Sequence, residues 1–218
     1  LDINNFKKQL DYFEKNYGFV DIQEWEIFVN HGKLPEVSGK VLLTFDDSLR
    51  CHFNYVYPEL KERGLWGIFY IPTNPYTSEK ILDVHRIHLL CGAFEGKTLY
   101  EKLISIINQD MIPDSKIEEF KTLTYLNQQN YSGVSEFKRI LNYFIDYRFR
   151  ENLISKIATI LGYKFFKQEF YIQEKDLVKM SENGMIIGSH TVNHPVMSKL
   201  SLKDQKHEIE NSFKFLNN

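Results

Sequence analysis

Cysteine is nearly absent from this chain. Its 218 residues include two, Cys51 and Cys91, each in an apolar or aromatic setting and without metal-ligand spacing. Two thiols so placed build neither a disulfide framework nor a zinc knuckle, and both are expected to be free and buried. An excess of charge is missing too. Lys and Arg number 27 against 29 Asp and Glu, a formal net charge of −2. That balance gives no electrostatic footprint for nucleic acid and suits a neutral or weakly charged partner. No apolar run approaches the ~18 to 20 residues that span a bilayer, and no basic, apolar and small-residue succession reads as a leader. The missing leader favours the cytoplasm, or an exported protein whose leader has been removed, since the chain opens on Leu1. Repeats and low-complexity tracts are also lacking. What is present, 43% apolar residues and 15% aromatics, is enough for one packed domain with a lobe inserted into it.

The pattern along the chain begins helical. Phe6, Leu10, Phe13 and Tyr17 share a face that ends at Gly18, and Asp21 and Glu24 have capping-box spacing before a short helix through Trp25 and Phe28, leading to a Gly32–Pro35 loop. The period then changes. Lys40 to Phe45 is a short apolar run ending at two aspartates, as expected of a buried parallel strand that delivers polar residues at its carboxyl end. Phe53, Val56 and Leu60 follow at helical spacing, Gly64 supplies a stop, and Trp66 to Ile71 reads as a second buried strand ended by Pro72, which completes a βαβ unit.

Approximately residues 77–170 carry helical stripes: Leu99, Leu103 and Ile106; Phe137, Leu141 and Phe144; Leu153, Ile157 and Ile160. They are regular enough for an inserted helical lobe. A helix over Glu174 to Asn183, stopped at Gly184, and a strand over Met185 to Gly188 restore the α/β alternation. Ser201 and Asp204 then cap a last helix whose apolar face is read as Leu202, Ile209, Phe213 and Leu216.

Two constellations carry chemistry. Thr44-Phe45-Asp46-Asp47 ends the first strand and His190-Thr191-Val192-Asn193-His194-Pro195 follows the third. Both sit at carboxyl ends of strands, where the loops of α/β sheets and barrels converge on ligands. An aspartate and two histidines offer one oxygen and two nitrogens, an open set for zinc or a similar divalent ion. Such an ion acidifies bound water and polarises a carbonyl, while the neighbouring aspartate accepts a proton as general base. Four residues separate the histidines, but Pro195 biases His194 away from helical geometry, so a strand-end loop is expected. The helical zinc-protease motif is excluded as well, because Thr191 stands where it needs glutamate. Taken singly, the aspartates read as a turn or helix cap and the histidines as structural.

Together, Thr-Phe-Asp-Asp and His-Thr-x-x-His-Pro resemble motifs one and two of the NodB-homology polysaccharide deacetylases, carbohydrate esterase family four. Val41 to Pro72 and Gly184 to Leu200 resemble the flanking regions, in the same order. The resemblance implies a single domain over residues 1–218, part of a distorted (β/α) barrel with the helical lobe inserted at approximately 77–170. It implies Asp46 as catalytic base, Asp47, His190 and His194 as ligands of a divalent ion with zinc favoured, and Thr191 as loop support. The implied reaction is hydrolysis of N-acetyl groups on a carbohydrate, through metal-bound water and a tetrahedral oxyanion, and the insertion is similar to members that serve cell-surface glycan assembly. Ser48 departs from the family, which favours glycine there. Its third, fourth and fifth motifs, with the general acid, are not recognisable and are expected beyond Asn218.

The rivals are a sugar deformylase or other amide hydrolase on the same scaffold, and a non-catalytic glycan-binding or assembly protein. His85 and His88, three apart at the start of the insertion, are read as surface or lobe-packing residues. His31, His52 and His207 offer less, and Trp66, Tyr70 and Tyr76 are read as core ahead of sugar-stacking.

Overall fold

A computed structural model describes residues 2–34, 38–78, 80–116, 133–167 and 170–217. Pro35 and residues 117–132 of the expected lobe lie outside the described residues. The chain divides into two units, Leu1–Tyr76 with Gln168–Val192 and Glu208–Asn218, and Thr77–Lys167 with Asn193–His207.

The first unit opens with helix α1 (Ile3–Asn16), capped by Asp2, whose side chain accepts the Asn4 and Asn5 N–H groups. Helix α2 (Ile22–His31) has the full capping box of Asp21 and Glu24 and ends at left-handed Gly32. Strand β1 is Thr44–Phe45, shorter than the expected run from Lys40, because Val41 instead forms an isolated parallel bridge with Phe19. The chain then makes a π-helical turn over His52–Val56 before helix α3 (Tyr57–Glu62). Pro58 accounts for the wide turn: it has no N–H to give, and in a tighter helix its ring would meet the Asn54 carbonyl.

Strand β2 (Ile68–Ile71) pairs in parallel with β1 and, on its other side, with β3 (Ile186–Ser189), so the described sheet has the order β1-β2-β3. The central strand is buried. Thr44 is exposed, which corrects the expectation of a buried first strand, and β3 is half-buried; both follow from their places at the two edges of the described sheet. Tyr70 sits opposite Gly188, where a Cβ would come within 2.6 Å of the tyrosine ring. Only glycine lets these strands pair with that ring in place. The core under the sheet gathers Leu10 of α1, Leu60 of α3, Phe69 and Ile71 of β2, and Met180 of helix α9 (Glu174–Glu182). Each such buried side chain contributes about 1.5 to 3 kcal/mol.

The second unit is helical among its described residues. After the short α4 (Asn74–Thr77) come α5 (Asp83–Ala93), α6 (Gly96–Ile106), α7 (Val134–Arg139) and α8 (Tyr147–Ile160). Leu99, Leu103, Phe137, Leu141, Leu153 and Ile157 share one buried core, as their spacing predicts. Ile160, at the end of α8, is instead half exposed. Buried Arg150 reaches Asp83, which also pairs with Arg86.

Helix α10 (Leu202–Leu216) overturns a sequence expectation. Leu202, Ile209 and Phe213 face outward at 82, 46 and 53% exposure, while Glu208 and Ser212 are buried. The helix is turned so that Glu208, Ser212, Phe215 and Leu216 share the inward side, a spacing that also makes one helical face. Cys51 is likewise exposed where a buried thiol was expected, and Cys91 is partly buried.

Candidate metal centre

The first motif leaves β1 in an unusual backbone. Asp47 and Ser48 have φ of +76° and +54°, left-handed conformations that cost a side-chain-bearing residue about 1 to 2 kcal/mol each. The turn is held on its far side by an antiparallel bridge between Leu49 and Tyr171: the Ile172 N–H donates to the Ser48 carbonyl at 2.9 Å and the Arg50 N–H to the Phe170 carbonyl at 2.8 Å. The Arg50 guanidinium adds an ion pair to Asp176 at 2.6 Å.

Ser48 is 1% exposed, and its hydroxyl lies 2.5 Å from that of Tyr76. Burial pushes the Tyr76 phenol up to about 12 against the opposing pull of the Ser48 hydrogen bond, so it keeps its proton at all ordinary pH. Ser48 thus occupies a conformation that glycine would adopt freely and gains a buried hydroxyl contact that glycine would lack. His52 packs at a tilt against Phe45 and Phe69, and burial lowers its pKa although Asp47 and Asp46 pull the other way.

The second motif prolongs the pairing of β3 with β2. The His190 N–H donates to the Ile71 carbonyl at 2.9 Å, Thr73 N–H to the Thr191 carbonyl at 3.1 Å, and Asn74 N–H to the Val192 carbonyl at 2.9 Å. Thr191 and His194 are left-handed, with φ of +65° and +52°, and residues 190–196 are non-helical, as Pro195 predicts. Among the described residues the four non-glycine positions with positive φ are these two and the two of the first motif. Strain of this kind persists where the surroundings fix it, and it gathers at functional sites.

Within the first unit the two motifs meet. His190 Nε2 lies 3.6 Å from Asp47 Oδ1, and both side chains are about three-tenths exposed. That is longer than a hydrogen bond. It is close to the ~3.3 to 3.5 Å expected between two ligand atoms that each stand ~2.0 to 2.2 Å from one tetrahedral ion. Asp47 and His190 thus offer an oxygen and a nitrogen at a spacing that fits zinc or a similar divalent ion, while His194 is half-buried and falls in the second unit. Asp46, beside Asp47, is exposed to solvent.

The remaining histidines separate. His31, His88 and His207 are exposed, while His85 is buried on α5 with its ring 6.1 Å from that of His194. Trp66 donates its indole N–H to the Val20 carbonyl and packs with Trp25, a core role. Tyr70 approaches the His190 ring at 6.5 Å. Thr191 joins the loop's support through its backbone groups. Sequence reasoning missed Glu208, Ser212 and Ser189, which bond to this loop. A glutamate and a serine four apart in a helix read as solvent face, and nothing in their spacing signals otherwise.

The family model of polysaccharide deacetylase matches residues 152–218, the stretch that carries His190 and His194. Among solved structures the fold is similar to one described as Streptococcus pyogenes deacetylase PplD in complex with acetate. The TM-score is 0.50 at 17% identity, covering 100% of this chain and 57% of that one. The chain therefore spans less than two thirds of that protein. No curated protein gives a match. The resemblance to the NodB-type polysaccharide deacetylases read from the two motifs is borne out by the family model over residues 152–218 and by the fold.

Proposed function

We propose that this chain carries the metal-holding and base half of a hydrolase that removes N-acetyl groups from a sugar of a polysaccharide or surface-glycan precursor. The observation that carries the reading is the approach of Asp47 Oδ1 to His190 Nε2 at 3.6 Å, in two strained turns that end separate parallel strands. Asp47, His190 and His194 would hold a divalent ion, with zinc favoured. When bound, that ion acidifies water and polarises a carbonyl oxygen.

The protein's own groups divide the remaining work. Asp46 stands next to the ligand aspartate and is exposed, so it is free to take a proton from attacking water while its neighbour stays committed to the ion. His190 and His194 would present imidazole nitrogens from a loop that the continuation of β2 holds by its backbone. On this reading the three described strands are an arc of a distorted (β/α) barrel, residues 1–218 are one deacetylase domain, and the helical unit around residues 77–170 is an insertion within it. A carbohydrate bearing an acetamide is the partner implied.

The test is acetate release from N-acetylated sugars and chito-oligosaccharides by the protein with zinc or with chelator, beside Asp46→Ala and His190→Ala. Zinc-dependent release lost in both variants is the expected result. If zinc binds through His190 but no acetamide is cleaved, the deacetylase reading fails; release of formate from N-formyl sugars would then select the deformylase.

A further inference from the structure

We propose that Glu208 and the Ser189–Ser212 hydroxyl pair position the loop between the two ligand histidines, so that α10 sets the aim of His190. The inference rests on the ligand assignment above and extends it to residues that no motif marks.

Three successive N–H groups of this loop are fixed by three different acceptors. His190 N–H goes to the Ile71 carbonyl, Thr191 N–H to Ser189 Oγ at 3.3 Å, and Val192 N–H to Glu208 Oε2 at 2.8 Å. The serine pair forms one consistently directed chain. Ser212 donates to the Ile209 carbonyl at 2.8 Å, which leaves its oxygen to accept from the Ser189 hydroxyl at 2.5 Å, and Ser189 in turn accepts from Thr191. The loop is thus tied through Thr191 to the body of α10 and through Val192 to a side chain one turn earlier.

The orientation of α10 points the same way. The helix buries Glu208 at 6% exposure and Ser212 at 0%, while Leu202, Ile209 and Phe213 stand in solvent. Hydrophobic burial alone would turn it about, since taking a carboxylate out of water is costly unless it is well bonded. A carboxylate accepting a backbone N–H is the stronger, charge-assisted kind of bond. What the arrangement secures is a left-handed Thr191 next to His190, a conformation the surroundings must enforce. Glu208 and Ser212 do not touch the reacting groups. They are positioning residues that act through the loop, comparable to the partners that orient metal ligands in other sites.

The experiment uses the full chain, metal-free for amide exchange and titrated with zinc in competition with a chromophoric chelator. Glu208→Ala is expected to speed exchange of the Val192 amide by at least about tenfold and to weaken zinc roughly 10- to 100-fold. Glu208→Gln, whose amide oxygen accepts the same N–H without the charge, should fall between the parent and the alanine variant in both readouts. Ser212→Ala should speed exchange at Thr191 and weaken zinc by a smaller factor. This variant and Glu208→Gln keep the inference open to refutation if Glu208→Ala does not fold. Unchanged zinc affinity in Glu208→Ala or Ser212→Ala despite a loosened loop would overturn it, as would a Glu208→Gln as weak as the alanine. A parent chain that binds no zinc would overturn the ligand assignment and this inference together. Parent binding with an insensitive Glu208 would overturn the inference alone.

Discussion

Replacing Ser48 separates two opposing effects whose sizes can be worked from the structure. Its backbone is left-handed at φ +54° and its hydroxyl, buried at 1% exposure, lies 2.5 Å from the Tyr76 hydroxyl. Ser48→Ala keeps the strained backbone and strands the tyrosine hydroxyl, so the expected loss is about 1 to 3 kcal/mol, the range for an unsatisfied buried donor. Ser48→Gly strands the same hydroxyl but relieves about 1 to 2 kcal/mol of left-handed strain, of which about 0.5 to 1 returns as glycine's added chain entropy. Glycine should therefore be more stable than alanine by roughly 0.5 to 1 kcal/mol. Tyr76→Phe removes the other partner, and the Ser48→Ala/Tyr76→Phe double variant should cost less than the two singles together by about 1 to 2 kcal/mol, since no hydroxyl is then left stranded. Urea unfolding of the five proteins measures all of these. Additivity of the two single substitutions to within about 0.5 kcal/mol would refute the hydroxyl pair. A glycine variant no more stable than alanine would refute the strain.

Three other outcomes follow from single contacts. The Tyr76 phenol, pushed up to about 12 by burial, holds its proton in the folded chain while an unfolded tyrosine releases its own near 10. Its contribution is thus complete below pH 10 and is lost as pH rises from 10 to 12, about 2 to 3 kcal/mol in all; Tyr76→Phe should flatten that part of the stability profile, and an identical slope in both proteins would refute the assignment. Cys91, raised to about 11 by burial, is about one part in a thousand thiolate at pH 8, so iodoacetamide should alkylate exposed Cys51 well before it, and equal rates by mass spectrometry would contradict the burial. Gly188→Ala would set a methyl 2.6 Å from the Tyr70 ring and should lower stability by about 1 to 3 kcal/mol; calorimetry should show part of this regained in Gly188→Ala/Tyr70→Ala, and a Gly188→Ala as stable as the parent would disprove the close approach.

What the sequence made legible is what local rules decide. Asp21 and Glu24 announce a capping box because both halves of it lie within four residues, and Gly18, Gly32, Gly64 and Gly184 mark stops because each takes the left-handed conformation. The approach of Asp47 and His190 was legible because chemistry restricts which side chains can share an ion, whatever the distance in sequence. The length of β1 was not, since Val41 is drawn away by Phe19, a contact no period encodes.

The phase of α10 was the larger miss, and its cause is physical. A helical period detects apolar faces, and Leu202, Ile209, Phe213 and Leu216 form one; the inward side is chosen instead by two polar groups that bond to residues 16 and 23 positions earlier. Ser48 shows the same logic at the first motif, where a residue that local preference would replace by glycine is kept in a left-handed turn by a hydroxyl on Tyr76. In both places the conformation that local energetics disfavours is paired with a buried polar contact, and in both the strained turn adjoins one of the two side chains, Asp47 and His190, that approach each other. Local rules therefore fail at the two motifs for one reason: the side chains that enforce these turns come from elsewhere in the chain, and their bonds, not their hydrophobicity, place them.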